Sequence, residues 1–209
     1  MNQELNHPEV SELVSTVSFF SSKGWIPATS SNFSLRINTE SLWISKSGVD
    51  KSQFSEKDLM QVDLQGNPLP NETNRPSAET LIHTAIYKFD SHAKVVLHTH
   101  GLHSTIVSME LENEGRVSVS GFELLKIFPK TNTHDTQVDI AIRPNSQDMV
   151  KFSQSLEKEL NTESYPNCFL IAGHGLYTWG ETVLQAKAIT EAVEHLLECK
   201  FLRGKLKGG

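Results

Sequence analysis

Residues 94–101, KVVLHTHG, carry the pattern from which we predict both the fold and the site. The valines and leucine before His98 favour a strand over 95–100. Side chains two residues apart in a strand point to the same face, so we expect His98 and His100 to lie side by side. Two imidazoles on one face, with no cysteine in the motif, suit one divalent ion, and zinc is the leading choice. An H-x-H pair alone is equally typical of two structural histidines.

A third histidine follows another apolar strand, predicted over 168–172, within the turn GHG at 173–175. Glycine permits positive φ and close approach of another backbone segment. His174 alone is typical of a turn. Together with His98 and His100 it completes a three-histidine site with an open position, which is the arrangement of a catalytic metal.

Helical and strand patterns alternate along the chain, which indicates one layered α/β domain over residues 1–209. Ile106 and Met109 are expected to face inward from a helix after Gly101, and His83 is expected to be solvated or capping. The other predicted helices cover 8–22, 77–89 with Ser77 as N-cap, 147–160, and a last one opened by a capping box of Thr182 and Gln185. The other predicted strands cover 32–37, 42–45, 116–120 and 138–142.

The composition argues against several classes of function. With 19 basic and 25 acidic residues the net charge is −6, and no basic run favours nucleic acid as a partner. No apolar stretch approaches the ~20 residues that span a bilayer. The first residues lack the basic region and apolar core of a signal peptide. The two cysteines, Cys168 and Cys199, form no disulfide framework, and free thiols fit the cytoplasm.

Three short polar loops have phosphate-binding character. TSSN at 29–32 precedes a strand, SKSG at 45–48 follows one, and RPS at 75–77 precedes a helix. A helix N-terminus offers free N–H groups and a partial positive charge. Each loop alone is typical of a turn or a cap. Together with a metal site, the three loops favour a phosphorylated substrate.

Two glutamates are candidates for acid–base chemistry. Glu79 falls in the first turn of the second predicted helix, where interaction with the helix dipole is the simpler interpretation. Glu123 lies in the apolar run GFELL at 121–125. We expect that setting to desolvate the Glu123 carboxyl and raise its pKa, which suits proton transfer. His103 is expected near the metal site, and His134 in a solvated loop.

The order of these motifs resembles the class II aldolase family, and the similarity covers nearly the whole chain. The resemblance implies an α/β/α sandwich around a mostly antiparallel sheet, zinc dependence and a sugar-phosphate substrate. It also implies a tetramer with sites near subunit interfaces. The motifs that carry it are SNFS at 31–34, SG at 47–48, PSAE at 76–79, HTH at 98–100 and GHG at 173–175.

The resemblance also assigns roles to individual residues. It places one zinc ion on His98, His100 and His174, and it matches Glu79 to an aldolase glutamate beside the metal. Ala78 departs from the pattern, because aldolases often carry a second serine there. Phosphate contacts are implied at Ser31, Asn32, Ser47, Gly48 and Ser77.

Longer motifs are similar to a branch of the family that dehydrates a ketose 1-phosphate: RPSAET at 75–80, GFELLK at 121–126 and GLYTWGE at 175–181. In that branch the acid–base glutamate matches Glu123. An aldolase or epimerase of another ketose phosphate shares the metal motif, so Glu123 discriminates between the two. A third alternative is a catalytically inactive binding protein, against which the intact histidines argue.

Overall fold

The computed structural model describes residues 7–162 and 164–207 as a layered arrangement of strands and helices. The strands are β1 (Asn32–Arg36), β2 (Ser41–Ser45), β3 (Leu59–Asp63), β4 (Val95–Thr99), β5 (Arg116–Ser120), β6 (Gln137–Arg143), β7 (Cys168–Ile171) and β8 (Gly175–Gly180). The α-helices are α1 (Pro8–Ser22), α2 (Thr80–Phe89), α3 (Leu102–Glu110), α4 (Met149–Leu160) and α5 (Val183–Lys207).

The strands form one sheet in the order β3-β2-β1-β4-β8-β7-β6-β5. The pairs are antiparallel apart from β6 with β7, which run parallel. Strand β4 lies near the middle, with β1 on one side and β8 on the other. In this register His98 is opposite Asn32 on β1 and opposite Tyr177 on β8. The centre of the sheet therefore carries the predicted site.

Helices cover both faces of the sheet. Along β4, Val96 packs with the face covered by α2 and α4. Its neighbours Val95 and Leu97 pack with the opposite face, where α1 and α5 lie. Helices α3 and α5 continue that second layer over β5 to β8. The α/β/α sandwich and the mostly antiparallel sheet are thus confirmed. Because side chains alternate along a strand, His98 shares the face of Val96 and points toward α2.

Several predicted elements are confirmed, but two predictions about helices are wrong. Helix α2 begins at Thr80 and its N-cap is Glu79. Ser77 forms a turn before it, accepting hydrogen bonds from the Glu79 and Thr80 N–H groups. On α3, Met109 is 59% exposed, because the side chains that face the sheet are Ser104, Val107 and Ser108. Ile106 is half-buried.

Strands β3 and β8 were not predicted. Strand β8 begins and ends with glycine, which sequence patterns associate with turns. Within the described part of the chain, no helix is both long and apolar enough to cross a membrane.

Candidate metal centre

The structure brings together the three histidines singled out by the sequence. His98 is on β4, His100 follows this strand, and His174 is in the turn between β7 and β8. The ring centroid of His98 is 4.6 Å from that of His100 and 4.8 Å from that of His174. One ring nitrogen from each of the three histidines lies within 4.8 Å of the corresponding nitrogens of the other two. Three imidazoles therefore face one small volume.

Close backbone packing holds the His174 turn against the end of β4. Gly173 has φ +63° and Gly175 has φ +157°, and the His174 N–H donates to the Ile171 carbonyl over 3.0 Å. A Cβ atom on Gly175 would lie 2.0 Å from the Thr99 carbonyl oxygen. Only glycine fits there, so the sheet can bring the turn directly beside the H-x-H motif.

The environment of His98 fixes both its orientation and its tautomer. Its Nδ1–H donates to the Leu176 carbonyl oxygen over 3.0 Å, which leaves the Nε2 lone pair facing the cluster. One face of the ring stacks on Tyr177 with centroids 4.1 Å apart, and Tyr177 stacks in turn on Phe169. The ring is completely buried.

Burial keeps the His98 and His100 imidazoles neutral, which is the form that binds a metal. It lowers the pKa of His98 well below its ordinary value and that of His100 to about 4. For His100, the nearby His174 adds to this effect.

The spacing of one pair of nitrogens, from His98 and His174, fits a single divalent ion. His98 Nε2 and His174 Nε2 are 3.3 Å apart. Two imidazole nitrogens that bind one tetrahedral zinc ion at about 2.0–2.1 Å lie roughly 3.3–3.4 Å apart. His98, His100 and His174 would hold such an ion and leave at least one coordination position for substrate or water.

Glu79 lies beside this cluster. Its Oε1 is 3.0 Å from His174 Nε2, and its Oε2 is 3.5 Å from His98 Nε2. Oε2 also accepts hydrogen bonds from the Tyr177 hydroxyl over 2.7 Å and from Asn32 Nδ2 over 2.6 Å. Burial alone would raise the pKa of Glu79, but the hydrogen bonds from His174 and Tyr177 outweigh it and lower the pKa. Glu79 is thus an ionised carboxylate beside the three histidines, and its role is more than the expected interaction with the helix dipole.

The predicted phosphate loops lie next to one another. The Ser47 N–H donates to the Arg75 carbonyl over 3.0 Å, and Lys46 forms an isolated antiparallel β-bridge with Pro76. These contacts join the loop of Ser47 and Gly48 to that of Ser77. Ser47 and Gly48 are exposed, and Gly48 has φ +74°.

Of the remaining predicted phosphate residues, Asn32 lies beside the histidine cluster, and Ser31 precedes it in the chain. The Ser31 hydroxyl is buried and has no hydrogen-bond partner among the described residues. Both polar atoms of the Asn32 amide are engaged, Nδ2 with Glu79 and Oδ1 with His83. Phosphate binding by all five residues remains a prediction.

The expected environment of Glu123 is wrong. Glu123 opens the short 3₁₀ helix Glu123–Ile127, whose Leu125 is buried while the Glu123 side chain is 69% exposed. Its carboxylate pairs with Lys126 Nζ at 2.6 Å and with His134 Nδ1 at 3.0 Å. The hydrogen bond from Lys126 and the charges of both partners lower its pKa, where we expected an increase. Its apolar neighbours therefore do not desolvate the carboxyl in the single chain.

His83 is the residue that sequence reasoning misplaced most clearly. It is completely buried under the sheet and is neither solvated nor capping. It lies four residues after Glu79, one helical turn further along α2. That spacing was the sequence signal that could have placed His83 on the same side of α2 as Glu79. His103, expected near the metal, is half-buried on α3 with its ring 5.7 Å from the ring of Phe201.

Comparison with known proteins defines the class. The sequence matches the family described as Class II Aldolase and Adducin N-terminal domain over residues 11–201. The chain therefore belongs to the class II aldolase family.

Particular relatives share much of the sequence. The chain is 40% identical over 196 residues to the methylthioribulose-1-phosphate dehydratase of Xylella fastidiosa (strain 9a5c), covering 94% of this chain and 89% of that protein. It is 38% identical over 185 residues to the methylthioribulose-1-phosphate dehydratase of Alcanivorax borkumensis, covering 87% of this chain and 86% of that protein.

Solved structures share the fold at lower identity. The l-fuculose-1-phosphate aldolase from Thermus Thermophilus superposes with a TM-score of 0.76 at 20% identity, covering 95% of this chain and 96% of that one. A sugar-phosphate aldolase from Thermotoga maritima gives a TM-score of 0.68 at 17% identity, covering 93% of this chain and 94% of that one.

Proposed function

We propose that this chain is a zinc-dependent methylthioribulose-1-phosphate dehydratase. It would convert 5-methylthioribulose 1-phosphate to 5-methylthio-2,3-diketopentyl 1-phosphate, a step of methionine salvage in the cytoplasm. The observation that carries the proposal is the 40% identity over 94% of the chain to a protein of that name. The solved aldolases reach only about half that identity.

The metal centre supports this chemistry. His98, His100 and His174 would hold one zinc ion per subunit. Zinc bound there would act as a Lewis acid for the C2 carbonyl and C3 hydroxyl oxygens and stabilise the negative charge that develops on them. The neutral rings of His98 and His100 are ready to bind it without losing a proton.

The polar loops would bind the substrate phosphate. Ser31, Ser47, Gly48 and Ser77 offer hydroxyl or backbone groups, and Asn32 would contribute through its backbone, because its amide is already engaged. Holding the phosphate at a fixed position would fix the distance from C1 to the metal centre. Binding energy from this remote group would then orient the reacting carbons.

The dehydration needs one proton removed and one delivered. The C3 proton leaves, the C4 hydroxyl departs as water after gaining a proton, and the resulting enol tautomerises to the diketone. Glu79 is ionised and adjoins His174, so it is placed to accept the C3 proton. Glu123 would donate a proton to the departing C4 hydroxyl.

Proton donation by Glu123 requires a protonated carboxyl, which the isolated chain does not favour. Its carboxylate is exposed and its pKa is lowered, so it is ionised near neutral pH. Burial against a neighbouring subunit would raise that pKa. We therefore propose that the chain, folded as one domain, assembles as a homotetramer with Glu123 near a subunit interface.

A substrate comparison tests the proposal. Zinc-loaded protein should dehydrate 5-methylthioribulose 1-phosphate and leave fuculose 1-phosphate and ribulose 5-phosphate unchanged. The His98→Ala variant, prepared in the same way, is the control for contaminating activity. Cleavage of a carbon chain would favour the aldolase alternative, and inversion at a carbon would favour an epimerase.

A further inference from the structure

A buried line of polar side chains runs from Glu79 away from the metal centre. Asn32 Nδ2 is 2.6 Å from Glu79 Oε2, and Asn32 Oδ1 is hydrogen-bonded to His83 Nε2. His83 Nδ1 is 2.7 Å from Ser34 Oγ, which is 2.9 Å from the Tyr87 hydroxyl. Beyond Glu79, each member of the line is at most 4% exposed. Its polar groups therefore depend on one another for hydrogen bonds.

The hydrogen bonds at Glu79 set the direction of those that run from Asn32 to Ser34. Glu79 Oε2 accepts from the Tyr177 hydroxyl and from Asn32 Nδ2, so the Asn32 amide turns its NH₂ group toward Glu79. The amide oxygen then faces His83 Nε2, which must carry the proton. The reverse amide orientation would place its oxygen 2.6 Å from a carboxylate oxygen, which is repulsive.

The same logic sets the tautomer of His83. Burial lowers the pKa of His83 to about 3, so its ring is neutral and carries one proton. With that proton on Nε2, Nδ1 accepts from the Ser34 hydroxyl. The Tyr87 hydroxyl donates either to Ser34 Oγ or to the Lys94 carbonyl oxygen 3.3 Å away. In both cases the Ser34 proton points to His83.

Two rigid elements hold the line in place. Asn32 and Ser34 are two residues apart on β1 and point to the same face. His83 and Tyr87 are four residues apart on α2 and share one side of the helix. Asn32 is also the register partner of His98. The line therefore ties the start of α2, where Glu79 lies, to the strand next to the metal ligands.

We propose that His83 is a positioning residue of the metal centre: by donating to Asn32 Oδ1, it holds the Asn32 amide in the one orientation that binds Glu79. His83 faces neither the metal nor the substrate, and it acts through Asn32. Loss of the His83 donor frees the amide to rotate, and Glu79 loses its fixed place beside His98 and His174. For its effect on turnover, this inference rests on the proposed dehydratase function.

A double-mutant cycle tests this role. Partners that orient groups at a metal centre typically contribute about 10–100-fold in activity or metal affinity. His83→Leu should lower kcat by about that factor with KM changed less than about twofold, and His83→Gln, which keeps an N–H donor, should recover part of the loss. In the Asn32→Ala background, His83→Leu should have no further effect on kcat, because His83 acts through Asn32. Multiplicative losses in the double variant would overturn the proposal.

A spectroscopic measurement separates this inference from the proposed function. Cobalt(II) replaces the metal in the wild-type and variant proteins, and its visible absorption reports the groups around it. The bands should shift in His83→Leu and return toward wild type in His83→Gln, while exposed His92→Gln leaves them unchanged. If wild-type protein fails to dehydrate the substrate, the function is wrong but this comparison still decides the role of His83.

A measurement on the unmodified protein covers the case in which His83→Leu does not fold. Nitrogen NMR of ¹⁵N-histidine-labelled wild-type protein should show His83 as the neutral Nε2–H tautomer from pH 5 to pH 8. An Nδ1–H tautomer or a protonated ring at pH 7 would overturn the proposal.

Discussion

His98 Nε2 and His174 Nε2 lie 3.3 Å apart, although 76 positions separate the two residues in the chain. The pairing of β4 with β8 creates this relationship, since His98 Nδ1 donates to Leu176, two residues beyond His174. The strand pairing at the centre of the sheet also brings the histidine cluster together. Metal binding and the stability of this part of the sheet should therefore be coupled.

Loss of a ligand should remove the metal. His98→Ala and His100→Ala each leave two of the three imidazoles, so we expect metal content to fall from about one ion per chain to a small fraction of that. Elemental analysis after dialysis measures it, with exposed His92→Ala as the matched control. Full occupancy in both ligand variants would refute the assignment. His174→Ala should weaken binding as well.

Position 175, directly after His174, should not tolerate a side chain. In Gly175→Ala the new methyl group would meet the Thr99 carbonyl, so β4 and the turn must separate. We expect a loss of at least about 2 kcal/mol in the free energy of unfolding, together with lower metal affinity. Urea titration and chelator competition measure the two effects.

Gly115→Ala provides the matched control for this strain. Gly115 also has positive φ, but a Cβ atom there meets nothing within 4 Å. It should cost only the backbone strain of about 1–2 kcal/mol and leave metal affinity unchanged. Equal metal affinity in the two variants would contradict the proposed role of the close Gly175 contact.

The phosphate loops should affect binding more than chemistry. Ser47→Ala removes a group that contacts phosphate in both the ground state and the transition state, so KM should rise more than kcat falls. Ser77→Ala should act in the same direction, although Ser77 also accepts the Glu79 N–H. Steady-state kinetics measure both constants, with Ser91→Ala, an exposed serine after α2, as control. A normal KM with a collapsed kcat would contradict phosphate binding at Ser47.

Glu123 should matter for turnover and not for the metal. Glu123→Gln keeps size and polarity but cannot exchange a proton at neutral pH. General acid–base groups contribute typically ~10²–10⁴-fold, so kcat should fall by about that factor while zinc content stays near the wild-type value. Glu112→Gln is a control of the same residue type. Near-normal turnover would transfer the role to Glu79, and loss of zinc would make Glu123 a ligand.

Acid should destabilise the protein through His83. Its pKa is about 3 in the folded state and 6.5 in the reference state, so between these values the unfolded chain binds more protons. Its contribution to stability is complete above about pH 6.5 and declines as the pH falls toward 3, by up to about 1.4 kcal/mol per pH unit.

Unfolding of metal-free protein in urea at several pH values tests this dependence. The slope of unfolding free energy against pH should be shallower in His83→Gln, because glutamine does not titrate. Exposed His92→Gln should keep the wild-type slope. An unchanged slope in His83→Gln would show that His83 is already charged in the folded state.

Local patterns predicted much of the fold. The bounds of α1 and β5 and the shared face of His98 and His100 follow from periodicity within one segment. Strand β8 could not be predicted in this way. Its terminal glycines look like turn residues, but Gly175 is required because the distant Thr99 carbonyl lies against it.

Long-range contacts explain why the environments of the glutamates were less predictable. Glu79 owes its lowered pKa to Tyr177 on β8 and to His174 in the turn before β8. The neighbours of Glu123 are apolar, but its 3₁₀ helix turns the carboxylate to solvent. The burial of His83 likewise depends on where α2 meets β1. Sequence spacing identified the histidine cluster but not the groups that orient its side chains.

The most direct test is the fate of 5-methylthioribulose 1-phosphate incubated with purified protein, followed by proton and phosphorus NMR. The proposed function predicts that zinc-loaded protein forms the 2,3-diketone phosphate with loss of one water, that chelation stops the reaction and that added Zn²⁺ restores it. An unchanged substrate, or cleavage of its carbon chain into two fragments, would contradict it.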